Sequence, residues 1–110
     1  MTWQEARDRE LAHWSAVRAA LSSAAPVDLL TEINAADALC DKAGEESHDA
    51  LNPCVRCLVY QQFGGCREVS GRMSERVAAG DREGARALLD GFLAHLRALE
   101  IPGPAASPAP

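Results

Sequence analysis

The chain has 110 residues and a formal net charge of −5, and 47% of its residues are hydrophobic while 5% are aromatic. A chain of this length can bury one hydrophobic core without disulfide bonds, and its excess of Ala, Leu, Glu and Arg over β-branched residues favours helices. The negative charge argues against nucleic acid or an anionic membrane surface as a partner. No apolar run approaches the length that crosses a bilayer, so we expect no membrane association.

The N-terminal segment is charged and amphipathic, unlike the uninterrupted apolar stretch of a secretory signal. We therefore expect a cytoplasmic protein. Thiols are kept reduced in the cytoplasm, so cysteines at motif-like spacing there indicate metal ligands or redox groups more often than structural disulfides.

The first half of the sequence predicts two amphipathic helices. Thr2 and Glu5 fit a capping box, and apolar residues at helical spacing follow over about residues 3–22. A second helix is predicted over about residues 27–43, with Gly44 as its C-terminal stop. Its apolar stripe places one cysteine on the buried side and consists of Leu29, Leu30, Ile33, Ala36, Cys40 and Ala43.

The middle of the chain predicts a short helix that carries cysteines. Asn52 followed by Pro53 is a typical helix start, and it predicts a helix over about residues 53–63. Two glycines end this helix. A further helix then begins at Cys66, because apolar residues recur at helical spacing from there.

The C-terminal part predicts one more helix and a tail. Gly80 followed by Asp81 combines a helix stop with a new N-cap, so a last helix is expected over about residues 82–100. Residues 102–110 are rich in Pro and Ala and are expected to be disordered. The predicted fold class is all-α: residues 1–101 form one domain, a small bundle of four longer helices plus the short cysteine-bearing helix.

All four cysteines lie in one stretch with the pattern C-x13-C-x2-C-x8-C, and they are the candidate ligands of a metal centre. Cys54 and Cys57 are three residues apart, which places both thiols on one face of the predicted short helix. The dipole at the N-terminus of this helix would help to keep both thiols ionised. Cys40 and Cys66 lie near the ends of the flanking helices and can complete the site. His48 lies in the longest gap but is expected to be a solvent-exposed side chain and not a ligand.

Two kinds of metal centre and one thiol chemistry remain open. Structural zinc sites are usually built from two close cysteine pairs, and this chain has one. A [4Fe-4S] cluster accepts four cysteines from more scattered positions and favours an apolar surrounding, so it is the preferred interpretation. Residues 60–63 directly follow the central pair and could surround the metal. The third alternative is a redox protein in which the Cys54 thiolate attacks and Cys57 resolves.

The cysteine pattern loosely resembles that of the WhiB-like iron-sulfur regulators, which have four cysteines with a central C-x2-C in a small helical protein. The chain departs from that family after the last cysteine, where it has Gly71-Arg72-Met73 in place of a Gly-Val/Ile-Trp-Gly-Gly turn and ends in prolines instead of a basic tail. The gap between Cys57 and Cys66 is also longer than is usual there. Family membership is therefore not assigned from the sequence.

No pattern in the sequence indicates a catalytic group. His13 and His95 lie on long predicted helices far from the cysteines in sequence, and nothing pairs them with a nucleophile. The acidic side chains of the first helix, Glu5, Asp8 and Glu10, are expected to be solvated. We therefore expect a metal-binding protein that is not an enzyme and that serves electron transfer, redox sensing or a larger enzyme as partner. With zinc in place of the cluster, we expect a helical protein-interaction module.

Overall fold

The computed structural model describes residues 1–22, 28–33, 38–46, 57–64 and 66–102, with the backbone alone for Glu46 and residues 66–68. The described residues form six helices and no strand. The all-α fold with four longer and two short helices confirms the predicted fold class. In chain order the helices are α1 (Trp3–Leu21), α2 (Leu29–Ile33), α3 (Ala38–Glu46), α4 (Leu58–Phe63), α5 (Cys66–Ala78) and α6 (Arg82–Ala98). The predicted tail falls almost entirely outside the described residues.

The start of α1 has the predicted capping box. The Glu5 N–H donates to Thr2 Oγ1 at 3.0 Å, and the Thr2 N–H donates to Glu5 Oε1 at 3.4 Å. These bonds satisfy two of the N–H groups that a helix leaves without partners at its first turn. The first helix therefore begins where its sequence predicts.

The longest helices, α1 and α6, pack against each other, and α5 packs against α6. Trp14 of α1 meets Phe92 of α6 edge to face, with ring centroids 5.6 Å apart. Leu89, Leu93 and Leu96 add fully buried side chains on the same helix.

Helix α6 also makes polar contacts with the C-terminal end of α1. The Arg18 guanidinium of α1 pairs with Asp90 of α6. From α6, Arg82 donates to the Ala20 carbonyl and Arg86 donates to Ser22 Oγ.

The turn between α5 and α6 has the geometry that its sequence predicts. Gly80 adopts a φ of 77°, in the left-handed region that favours glycine. Asp81 then caps α6 by accepting a hydrogen bond from the Gly84 N–H at 2.8 Å. The same aspartate receives a charged contact from Arg76 at 3.3 Å, so one residue both starts α6 and holds the end of α5.

The predicted second helix, over 27–43, is described in two parts, α2 and α3, and residues 34–37 between them lie outside the described residues. Helix α2 contacts α1 and α5, whereas α3 contacts α1 and α4. The predicted apolar stripe differs from the structure at two positions: Leu30 is 42% exposed, while Leu39, outside the predicted stripe, is buried. Helix α3 also continues through Gly44 to Glu46. The side chain of His13 links α1 to α2, with its ring Nε2–H placed to donate to the Glu32 carbonyl at 2.9 Å.

Among the described residues, no helix combines the length and the apolar character needed to cross a membrane. The helices instead share one core, in which buried side chains of α1 and α6 contribute most and α2, α3, α4 and α5 add smaller numbers. The core thus joins the described helices that carry or adjoin a cysteine, which are α3, α4 and α5.

Two leucines provide a matched test of this core. Leu89 on α6 has no exposed surface, whereas Leu30 on α2 is 42% exposed. We expect Leu89→Ala to lower the free energy of unfolding by about 2–5 kcal/mol, because it removes buried methyl groups and leaves a cavity. Leu30→Ala should change it by less than about 0.5 kcal/mol. Urea denaturation measures both, and equal losses would contradict the assignment of the core.

Two glycines with open space around them provide a second test. A Cβ would meet nothing within 4 Å at Gly80 or at Gly91 in α6, and the two differ in that Gly80 has a φ of +77°. We expect Gly80→Ala to destabilise the fold by about 1–2 kcal/mol through backbone strain. Gly91→Ala should stabilise it by about 0.5–1 kcal/mol, since alanine favours a helix interior. Thermal unfolding followed by circular dichroism should show shifts of opposite sign, and shifts of the same sign would refute this explanation.

Candidate metal centre

Two of the four candidate ligands have described side chains. Cys57 is 5% exposed and directly precedes α4, and Cys40 is a half-buried residue of α3. Both are present as thiols. Cys66 is the first residue of α5, but its side chain lies outside the described part, as do Cys54 and His48. The predicted convergence of four sulfurs is therefore untested, while the inward placement is confirmed for Cys57 and holds in part for Cys40.

Cys57 is the N-cap of α4 and not a residue within a helix. Its backbone is extended, with φ −76° and ψ 129°, and its carbonyl accepts the bond from the Gln61 N–H at 3.0 Å. The predicted helix over 53–63 is therefore not continuous through Cys57. Burial of Leu58 and Val59 in the core fixes the first turn of α4 against the neighbouring helices. The predicted helix start at Asn52-Pro53 lies outside the described residues.

Helix α3, which carries Cys40, is held by α1. The Lys42 ammonium lies 5.9 Å from the centre of the Trp3 ring, within the range of a cation–π contact. Glu45 pairs with both Lys42 and the N-terminal ammonium at 3.6 Å. These contacts join the last turns of α3 to the first turn of α1, so the two helices run in opposite directions.

Glu10 makes the deepest contact between these two helices, and its predicted solvation is wrong. Its side chain is 1% exposed, and it is the one charged residue buried among those described. Trp14 Nε1–H donates to Glu10 Oε2 at 2.8 Å, and the Leu39 N–H donates to Oε1 at 3.1 Å. Burial is tolerated because the carboxylate accepts hydrogen bonds from both groups, which offset its loss of hydration. The sequence held a signal for this placement, since Glu10 follows Trp3 by seven residues and precedes Trp14 by four, on one helix face.

Helix α4, which begins next to Cys57, is held by the end of α6. The Gln62 side-chain amide donates to the Glu100 carbonyl at 2.8 Å and accepts from the Glu100 N–H at 2.9 Å. Phe63 stacks on His95 with ring centroids 4.3 Å apart and planes inclined by 2°. Tyr60 is 47% exposed. Gln62 and Phe63 thus contact α6 or the residues that follow it. The expectation that residues 60–63 surround a metal stays untested, because the side chains of Cys54 and Cys66 lie outside the described residues.

The contacts of α3 with α1 and of α4 with α6 bring together the two helices that carry or adjoin the described cysteines. Helix α1 holds α3 and α6 holds α4, and α1 and α6 pack on each other while α3 contacts α4. The described residues nevertheless contain no group of three or more His, Cys, Asp or Glu side chains placed to hold a metal ion. The pKa shifts also lie elsewhere: the Arg18 hydrogen bond lowers the pKa of Asp90, and the Thr31 hydroxyl lowers that of Asp28. In the described part of the chain, the candidate ligands therefore remain the two cysteines Cys40 and Cys57.

Comparison with protein-family models, curated proteins and solved structures gives no significant match to this chain.

The different burial of the two described thiols provides a test. In the metal-free native chain we expect an alkylating reagent to modify Cys40, which is half-buried, faster than Cys57, which is 5% exposed. Thiol modification requires access as well as ionisation, so the rates should converge in urea. Mass spectrometry of the digested protein resolves the individual cysteines. Faster native modification of Cys57 would contradict its buried position.

Proposed function

We propose that the chain binds one [4Fe-4S] cluster through Cys40, Cys54, Cys57 and Cys66. The cluster would serve electron transfer or redox sensing, or the protein would act as an accessory to a larger partner enzyme, without catalysis of its own. The protein would work in the cytoplasm, where cysteines stay reduced until a metal binds them. Residues 1–101 would then be one metal-binding domain.

The observation that carries this proposal is the placement of Cys57. It is a buried thiol at the boundary of a short helix, and the neighbouring helix α3 supplies a second cysteine. In the sequence, Cys54 is three residues away from it and Cys66 nine residues away. A buried thiol alone is ordinary core packing. Four cysteines within one stretch of the sequence, of which Cys57 is buried, favour a set of metal ligands.

The length of α4 favours a cluster over a single ion. This helix of 6 residues separates Cys57 from Cys66, and at 1.5 Å per residue it is about 9 Å long. A zinc ion with bonds of about 2.3 Å requires sulfurs within about 4.6 Å of each other. An iron-sulfur cluster is larger and holds each cysteine on a different iron, so it tolerates more widely separated ligands. The apolar neighbours Leu58 and Val59 suit the dry surrounding of such a cluster.

Zinc is the second candidate, and the short helix α4 favours it. This helix has 6 residues, far below the length at which an isolated helix is stable in water. A zinc ion bound by the same cysteines would stabilise the elements around it, because metal binding is coupled to folding. The protein would then be a helical module that binds a partner protein.

Purification without oxygen, followed by metal analysis, tests both candidates. A cluster predicts a brown protein with about four iron and four sulfide per chain, and Cys57→Ser should lose most of both. The control is Leu30→Ala, which alters an exposed side chain of α2. Zinc predicts instead a colourless protein with about one zinc per chain, and a chelator should lower its Tm. A colourless, fully reduced chain with no bound metal would refute both candidates.

A further inference from the structure

The buried carboxylate of Glu10 belongs to α1 but acts on α3. Its two oxygens accept hydrogen bonds from two different elements, Trp14 Nε1–H of α1 and the Leu39 N–H near the start of α3. A carboxylate that is 1% exposed is costly unless it is hydrogen-bonded. Glu10 therefore restricts α3 to positions in which the Leu39 N–H points at it.

Cys40 directly follows Leu39 in α3. One residue along an α-helix is about 1.5 Å of rise and about 100° of rotation, so a bond that fixes the Leu39 N–H also fixes where the Cys40 side chain points. If α3 moved by one residue against α1, Cys40 would leave its half-buried position. Buried polar groups are known to select one register between packed helices in this way.

We infer that Glu10 is a positioning residue of the cysteine centre: by holding the Leu39 N–H, it sets the register of α3 on α1 and hence the place of Cys40. This inference rests on the proposed four-cysteine site for its functional meaning. Its structural content, control of Cys40 by a residue thirty positions earlier on another helix, can be measured without any metal. The polar contacts of Lys42 and Glu45 with the start of α1 restrict the register less, because both residues have long, flexible side chains.

The test compares four variants of the full chain. Glu10→Gln keeps the size of the side chain, but only the amide oxygen can accept a hydrogen bond. One of the two bonds from Trp14 and Leu39 is therefore lost. Trp14→Phe removes the indole donor and leaves the bond to Leu39 intact. Asp8→Asn changes an exposed carboxylate of the same helix, with 59% of its side chain accessible. Leu21→Ala, at the end of α1 remote from Glu10, is the control for loss of stability, because its side chain is 3% exposed.

The first measurement is the alkylation rate of Cys40 in the metal-free protein, resolved by mass spectrometry. Glu10→Gln should raise this rate about fivefold or more, because α3 no longer has one fixed position and its openings become frequent. Trp14→Phe, Asp8→Asn and Leu21→Ala should change it less than about twofold after correction for global unfolding. An equal rise in Glu10→Gln and Leu21→Ala would show a general loss of stability and overturn the inference.

The second measurement is the metal content of the protein purified without oxygen. In Glu10→Gln the iron-to-sulfide ratio should fall from about 4:4 towards 3:4, since one of the four iron atoms loses its cysteine ligand. The control variants should keep the ratio of the unmodified chain. If the unmodified chain binds no metal, the proposed function fails, but the Cys40 rates still decide the role of Glu10. If it binds a cluster and Glu10→Gln keeps both the ratio and the Cys40 rate, the inference fails alone.

Discussion

The buried carboxylate of Glu10 joins α1 to α3 through its hydrogen bonds. Glu10 lies in the apolar stripe of α1, where a charged residue would be unstable without partners. It receives one hydrogen bond from its own helix and one from the backbone of α3. Because a hydrogen bond is directional while apolar packing is not, this contact restricts the position of α3 on α1 more narrowly than burial alone would.

Apart from α2, which packs on α1 and α5, the described helices fall into a frame and two attached elements. Helices α1, α5 and α6 have long apolar faces and share the largest contacts, so hydrophobic burial is sufficient to order them. Helices α3 and α4 are shorter and depend on specific bonds, from Glu10 in the first case and between Gln62 and Glu100 in the second. Both attached elements carry or adjoin a cysteine. The described cysteines thus lie where the fold is fixed by individual polar contacts.

The frame was predictable from the sequence because its signals are local and repeated. The capping box at Thr2, the turn at Gly80 and the apolar pattern of α6 each specify structure within a few residues. The attached elements were not predictable to the same extent. The position of Cys57 as a cap depends on the packing of α4 against α6, and the burial of Glu10 depends on a donor twenty-nine residues away. Periodicity placed Cys40 on the buried side of a helix, but the structure leaves it half-buried and buries its neighbour Leu39 more deeply.

The difference between the frame and the attached helices α3 and α4 indicates what a metal centre bound by the cysteines would stabilise. Four cysteine ligands would join α3, α4 and α5, which otherwise meet through the contact of α3 with α4 and through the frame. A group that binds the folded chain and not the unfolded one stabilises it in proportion to the logarithm of its concentration over its Kd. The stabilisation would act on the elements that burial alone orders least. Because Glu10 places Cys40 before any metal arrives, less of the binding free energy would be spent on ordering α3. The hydrogen bond from Glu10 of α1 and the bound metal would then both act to order α3.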